Sequence, residues 1–164
     1  MSGPIPAEPR EGARNTAAMP DLAIVGAGAA GLAAAYALRS ADLRITVLEK
    51  SRGVSGRAAS RWHDADDGHG HTVRWRYDHG AQYVSPDEGS RAHRLLTRDL
   101  PTAGLADLAG EIWPFDDDGT LRPDRARQDS GPRLVYEGGI VQLGKRLRDA
   151  VPSVTLRNVT RVGA

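Results

Sequence analysis

The chain has 164 residues, of which 22 are Lys or Arg and 21 are Asp or Glu, so its formal net charge is +1 at pH 7. This length suits one domain with one core, and the balanced charge does not favour a polyanion such as nucleic acid as a partner. Because the chain has no Cys, disulfides, thiolate metal sites and cysteine nucleophiles are excluded.

The N-terminal segment, residues 1–20, is polar and lacks the apolar stretch of a secretory signal. We predict a disordered tail here, with Met19 as an alternative start to Met1. The uncharged run from Leu22 to Leu38 holds too many Gly and Ala residues to insert readily into a membrane. We therefore predict a cytoplasmic protein with no membrane partner.

A short apolar run opens the first structural unit of the chain. Leu22–Val25 ends at Gly26, as expected of a strand that is buried on both faces. A helix from Ala29 to Ser40 and a β-branched strand from Arg44 to Glu49 should follow. This order predicts a βαβ unit with parallel strands, and hence an α/β fold.

Downstream, the pattern predicts a hairpin, two helices and short strands. Ala58–Trp62 and Thr72–Tyr77 flank a turn-prone segment and should pair. Ser85–Glu88 has the sequence of a capping box, which predicts a helix from Pro86 to Asp99. The remaining predictions are strands around a turn in Ile112–Leu121, a loop in Pro123–Pro132, a helix in Ile140–Ala150 and a strand in Val154–Val162.

The turn after the first strand, Gly26–Gly31, has the GxGxxG pattern of dinucleotide-binding units. Gly26 permits the tight turn, Gly28 lets a pyrophosphate approach the backbone, and Gly31 lets the helix pack closely on the strand. The N–H groups of the first helical turn should bind the anion. That turn includes Ala29 and Ala30.

Glu49 lies at the end of the second strand, about 20 residues after the motif, where dinucleotide-binding units carry an acid. Its carboxylate is placed to accept hydrogen bonds from ribose hydroxyls, and its charge opposes the 2′-phosphate of NADP. Up to this point FAD and NAD both remain open as the cofactor.

Two further segments resemble FAD-dependent amine oxidases and renalase-like oxidoreductases. In that family the ribose-binding acid is followed by a short loop and Gly-Gly-Arg, and Glu49–Arg57 is similar, with Ser55-Gly56-Arg57 at its end. Ser55 suits this pattern if its φ is negative. Asp78–Tyr83, with the sequence DHGAQY, is similar to a family segment that lies near the flavin.

The resemblance implies a Rossmann-like FAD/NAD(P)-binding domain over residues 21–164, with a partial substrate-side insertion at 100–138. It also implies that Arg57 lies beside the pyrophosphate and that the backbone near Gly80 passes beside the flavin ring. The cofactor-binding residues that we predict are Gly26, Gly28, Ala29, Ala30, Gly31, Glu49, Lys50, Gly56, Arg57, Gly80, Ala81 and Gln82.

For function, the resemblance implies an FAD-binding oxidoreductase that oxidises a small-molecule substrate by hydride transfer to the flavin. It does not assign a catalytic residue. One alternative is a truncated or non-catalytic dinucleotide-binding module that needs a missing C-terminal portion or a partner chain. A second alternative is an NAD-dependent dehydrogenase.

Side chains that could bind a metal crowd the predicted hairpin tip. Asp and Gly are ordinary turn residues, and the sequence fixes no further ligands, so we predict no metal site. The crowded residues are His63, Asp64, Asp66, Asp67, His69 and His71.

Overall fold

The computed structural model describes residues 21–110, 113–114, 116–121 and 131–163. The predicted tail at 1–20 and most of the predicted loop at 123–132 lie outside the described residues. The elements are β1 (Leu22–Val25), α1 (Ala29–Ala37), β2 (Ile45–Leu48), β3 (Ala58–Asp66), β4 (Thr72–Gly80), α2 (Arg91–Arg94), a π-helical turn (Leu95–Asp99), β5 (Leu105–Asp107), β6 (Leu134–Tyr136), α3 (Val141–Asp149) and β7 (Thr155–Arg157).

The predicted βαβ unit is confirmed: β1, β2 and β7 form a parallel sheet in the order β1-β2-β7. The expectation that β1 is buried on both faces is wrong. Ile24 packs against the core, whereas Val25 on the opposite face is 68% exposed. The reason is that β1 is an edge strand within the described residues, while the central strand β2 buries Ile45, Thr46 and Val47.

The core lies where α1 packs on this sheet and α3 packs on α1. Its buried residues come from α1, β2 and α3, and it extends to the helical segment 91–99 and to β6. The buried cluster comprises Ala27, Leu32, Ala35, Val47, Leu96, Leu100, Leu134, Tyr136, Leu143 and Leu147.

The predicted hairpin is confirmed, and it is longer than the sequence indicated. β3 and β4 have nine residues each and pair antiparallel from Ala58↔Gly80 at the base to Asp66↔Thr72 at the tip. The chain enters and leaves the hairpin at this base, which lies close to the glycine-rich turn. The hairpin therefore brings sequence-distant segments together.

The helix predicted from Pro86 begins later, at Arg91, and its N-cap is Ser90 rather than Ser85. The hydroxyl of Ser90 accepts a hydrogen bond from the N–H of His93 at 3.1 Å. Val84 is held extended by paired backbone hydrogen bonds with Leu134. Gly89 has φ +72°, so a regular helix that began at Pro86 could not continue past residue 88.

Two other expectations need adjustment. The strand predicted at 154–162 ends at Arg157, because the following residues turn to contact the loop after β2. A turn at 116–119 is present, with the N–H of Gly119 donating to the carbonyl of Asp116, but the described residues of 112–121 form no strand.

No helix within the described ranges combines the length and apolar character that crossing a bilayer requires.

Candidate dinucleotide site

Two of the three motif glycines are required by the fold itself. Gly26 has φ +99°, a left-handed conformation that L side chains rarely adopt. A Cβ atom on Gly31 would lie 2.0 Å from the carbonyl oxygen of Gly26, so the helix can approach the turn only without a side chain there. These two glycines fix the geometry of the turn.

Gly28 is different, because the fold leaves room for a side chain at this position. Its φ is −73°, and a Cβ atom would meet Gly56 at an ordinary contact distance of 3.9 Å. Gly28 is also the N-cap of α1 and provides no side-chain cap. Packing among the described residues therefore does not account for glycine at position 28.

The N-terminal end of α1 is electrostatically positive and open. No acidic residue lies in its first turn, and its first internal hydrogen bond runs from the N–H of Leu32 to Gly28. The bridge between Gly28 and Ser55 directs the N–H of Ala29 toward the carbonyl of Ser55. The N–H groups of Ala30 and Gly31 have no partner among the described residues. They form a cluster of donors at the positive end of the helix dipole.

Glu49 lies directly beside the glycine-rich turn and is only 6% exposed. Its Oε2 accepts a hydrogen bond from the N–H of Ala27 at 2.7 Å, and its Oε1 accepts one from the N–H of Ser51 at 2.8 Å. Burial acts to raise the pKa of Glu49, but these N–H donors outweigh it, and the pKa is lowered. The side chain is thus ionised at neutral pH.

The segment Ser55–Arg57 packs against the turn. The N–H of Ser55 donates to the carbonyl of Ala27 at 2.8 Å. A Cβ atom on Gly56 would lie only 3.1 Å from the Cα of Gly28, and Gly56 has φ +57°. The two glycine-containing segments are therefore in direct backbone contact.

Ser55 corrects one expectation, since its φ is +87° and not negative. The residue is 1% exposed, and its hydroxyl has no hydrogen-bond partner among the described residues. The backbone here adopts the conformation that suits glycine, although the sequence has serine. This position is consequently strained.

The third predicted segment joins the same assembly at the hairpin base. The N–H of Ala81 donates to the carbonyl of Arg57 at 3.2 Å. A Cβ atom on Gly80 would lie 2.3 Å from that carbonyl oxygen, and Gly80 has φ +104°. Arg57 and Gln82 are exposed. The chain thus brings the Gly26–Gly31 turn, Ser55–Arg57 and Gly80–Gln82 into one contiguous backbone surface.

A cleft of about 240 Å³ lies at one end of this surface. It contains three of the predicted residues, Gly26, Glu49 and Lys50, whereas Arg57 and the segment from Gly80 to Gln82 are not among its walls. The predicted residues therefore form two adjoining groups. The other residues that line the cleft are Val25, Leu48, Thr160, Arg161 and Val162.

Residues 160–162 also line the site, which the sequence pattern did not indicate. The N–H of Thr160 donates to the carbonyl of Glu49 at 2.8 Å, and that of Glu49 donates to Arg157 at 2.8 Å. Parallel strands of one sheet end at the same edge, so the loop after β7 lies beside the loop after β2. A prediction that the last strand lies parallel to β2 would have indicated that these residues lie beside Glu49.

The hairpin base is tied to the start of α3 by two side chains. Asp78 Oδ1 accepts hydrogen bonds from the hydroxyl of Ser60 at 2.5 Å and from the N–H of Ile140 at 3.1 Å. Ser60 Oγ in turn accepts a hydrogen bond from the N–H of Val141 at 3.3 Å. This pair caps α3 and holds the flanking Gly80 segment in place.

At the hairpin tip, the crowded Asp and His residues form a turn network. Asp67 accepts hydrogen bonds from the N–H groups of His69 and His71 and lies 3.1 Å from the His71 ring nitrogen. In the part of the chain that the structure describes, no three such side chains are grouped as metal ligands.

Part of the chain matches a known family model. Residues 24–98 match the NAD(P)-binding Rossmann-like domain. The chain contains a Rossmann-like domain. The match extends from β1 to the π-helical turn, so it covers the glycine-rich turn, Glu49, Arg57 and the hairpin.

Solved structures similar to this Rossmann-like domain are parts of longer enzymes. A putrescine oxidase with bound putrescine is 33% identical over 64% of this chain and 21% of its own, with a TM-score of 0.41. A variant of PqsL from P. aeruginosa is 21% identical over 88% of this chain and 35% of its own, with a TM-score of 0.50. The p-nitrophenol 4-monooxygenase PnpA from Pseudomonas putida is 21% identical over 85% of this chain and 31% of its own, with a TM-score of 0.45.

The chain spans about a third or less of the length of each of these proteins. The likeness to PqsL supports the Rossmann-like fold.

Proposed function

We propose that the chain binds FAD and acts as an FAD-dependent oxidoreductase that oxidises a small molecule by hydride transfer to the flavin. The observation that carries the proposal is the contact between Gly28 and Gly56, which joins the GxGxxG turn to the segment that resembles those of FAD-dependent amine oxidases. A turn that bound no ligand would not need glycine at position 28.

The cleft beside Glu49 suits the adenosine part of the cofactor. Val25, Leu48 and Val162 provide apolar walls for the adenine ring. Glu49 is ionised, and each of its oxygens has a lone pair left to accept a ribose hydroxyl. Its negative charge would repel the 2′-phosphate of NADP.

The pyrophosphate would lie between the start of α1 and Arg57. The free N–H groups of Ala30 and Gly31 can donate hydrogen bonds without moving, and the dipole of the helix adds a favourable field. The Arg57 guanidinium can bind two phosphate oxygens, and it makes no hydrogen bond or ion pair with the described residues. Gly28 leaves the space that this approach needs.

The Gly80–Gln82 segment continues the surface beyond the phosphates, where the flavin end of FAD would extend. Bound FAD supplies the electron acceptor for substrate oxidation. The protein's contribution is to hold the cofactor by its ADP half and to present backbone groups to the ring. Placement of the ring against Gly80 is supported by the resemblance of the Asp78–Tyr83 segment.

Titration of the purified chain, freed of nucleotide, with FAD, FMN and NADH tests the proposal. We expect saturable FAD binding, seen as loss of flavin fluorescence, and no binding of FMN, because FMN lacks the adenosine monophosphate part of FAD. Binding of NADH with no FAD binding would support the NAD-dependent alternative instead. Reduction of bound FAD by a panel of small molecules without air, seen as bleaching, tests the redox step.

A pair of arginine variants makes this test specific. Arg57→Ala should weaken FAD binding tenfold or more, since a charge-assisted hydrogen bond contributes about 1.5–3 kcal/mol. Arg61→Ala makes the same change in charge on an exposed residue of β3 outside the proposed site and should change affinity little. Equal effects of the two variants would show that Arg57 makes no specific contact.

A further inference from the structure

A groove of about 540 Å³ lies between α1 and the helical segment 91–99. None of the residues that line it belongs to the proposed dinucleotide site. Its walls are largely apolar and come from Ala33, Tyr36, Ala37, Ala92 and Leu95. The size and the apolar lining are those of a small-molecule pocket.

Charged groups at this groove are mainly positive. Arg91 and Arg94 line it, and the guanidinium of Arg39 lies 3.8 Å from the ring centre of Tyr36. Asp99 is the opposing carboxylate. Arg94 donates to the carbonyl of Gly89, whereas Arg91 has no hydrogen bond or ion pair with the described residues. A guanidinium is thus available for an anionic group.

The π-helical turn forms one wall of the groove. The N–H of Leu100 donates to the carbonyl of Leu95, five residues earlier, and both Leu96 and Leu100 are buried in the core. This wide turn holds the two leucines in the core while Leu95 and Asp99 line the groove. π-Helical turns of this kind are frequent at functional sites.

We propose that this groove binds a small anionic amphiphile, an apolar body carrying one carboxylate or sulfonate group. The apolar body packs on Ala33, Tyr36 and Leu95, and the anionic group pairs with Arg91. This site is independent of FAD binding, because it shares no residue with the cleft at Glu49 or with the Gly28–Gly56 contact.

Two fluorescent probes of similar shape test the proposal: anilinonaphthalene sulfonate, which is anionic, and N-phenylnaphthylamine, which is neutral. We expect one saturable site for the sulfonate, undisturbed by saturating FAD. Arg91→Gln should weaken sulfonate binding about three- to tenfold, as for a partly exposed charged contact, and leave the neutral probe unaffected. Arg98→Gln, in the same segment but outside the groove, should change neither.

Ala92→Trp places a bulky side chain in the groove from an exposed position and should abolish binding of both probes. Circular dichroism of each variant checks that it is folded. The proposal is wrong if the sulfonate does not saturate, if Arg98→Gln matches Arg91→Gln, or if folded Ala92→Trp binds as before. It is also wrong if the chain dimerises through this groove, seen as a dimer that Ala92→Trp converts to a monomer.

Discussion

The carbonyl oxygen of Gly26 lies 2.0 Å from the point that a Cβ atom on Gly31 would occupy. Because the obstacle is backbone, Gly31→Ala can be accommodated only if α1 moves away from β1. Overpacking of this kind costs about 1–3 kcal/mol, and we expect the upper end of that range or more. Urea unfolding followed by circular dichroism measures the change. Unfolding identical to that of the unmodified chain would contradict the described packing.

Gly28→Ala is the matched substitution, since it adds the same methyl group three residues earlier. The φ of −73° and the 3.9 Å contact predict a stability change within about 1 kcal/mol. FAD affinity should nevertheless fall tenfold or more, because the methyl group occupies the path of the pyrophosphate. Normal FAD binding by this variant would remove the main support for the proposed site.

The three motif glycines illustrate which parts of the site could be predicted from the sequence. The GxGxxG pattern between a strand and a helix predicted the turn, because the turn depends on residues that are close together in the sequence. The pattern also assigned Gly26 and Gly31 to the fold and Gly28 to a ligand, and the φ of Gly26 and the carbonyl beside Gly31 agree with the first two roles. The contact between Gly28 and Gly56 could not be predicted, because the two residues are far apart in the sequence.

Elements that depend on distant partners were also harder to predict. Ser85–Glu88 has good capping chemistry, but pairing of Val84 with Leu134 holds the chain extended just before it, and Gly89 interrupts a regular helix just after it. The end of β7 is set in the same way, since Thr160 bonds to the carbonyl of Glu49. Local propensity is overruled where a long-range backbone partner competes for the same residues.

Glu49→Gln tests the buried carboxylate. A neutral amide has one acceptor oxygen, so the N–H groups of Ala27 and Ser51 both lose a charged acceptor and one of them loses its acceptor altogether. Stability at pH 7 should fall by about 1–3 kcal/mol. The change is measured by urea unfolding. An unchanged stability at pH 7 would mean that these hydrogen bonds contribute nothing.

The same variant should show a defined pH dependence. The pKa of Glu49 is lowered in the folded state, since the N–H donors outweigh burial, and the unfolded pKa is about 4.3. Its contribution to stability is therefore present above about pH 4.3 and lost as the pH falls through the lower folded-state pKa. The stability gap between the two proteins should narrow below that pH. Other carboxylates titrate in both proteins and cancel.

Ser55→Gly should stabilise the chain. Serine at φ +87° is strained, and its buried hydroxyl has no partner among the described residues, so glycine relieves both costs. Strain of this kind costs about 1–3 kcal/mol, from which the greater flexibility of unfolded glycine subtracts up to about 1 kcal/mol. Ser55→Ala keeps the strain and removes only the hydroxyl, so it should stabilise less. Thermal unfolding of the three proteins gives the order, and an unmodified chain more stable than Ser55→Gly would contradict the prediction.

Asp78→Ala should loosen the link between the hairpin and α3. The substitution removes the acceptor for the hydroxyl of Ser60 and for the N–H of Ile140, so we expect a loss of about 1–2 kcal/mol in urea unfolding. Asp78→Asn keeps an acceptor oxygen and should recover part of that loss. Because Asp78 lies two residues before Gly80, loosening should also weaken FAD binding more than Arg61→Ala does. A loss of stability with unchanged FAD affinity would show that the Gly80 segment holds its position without this link.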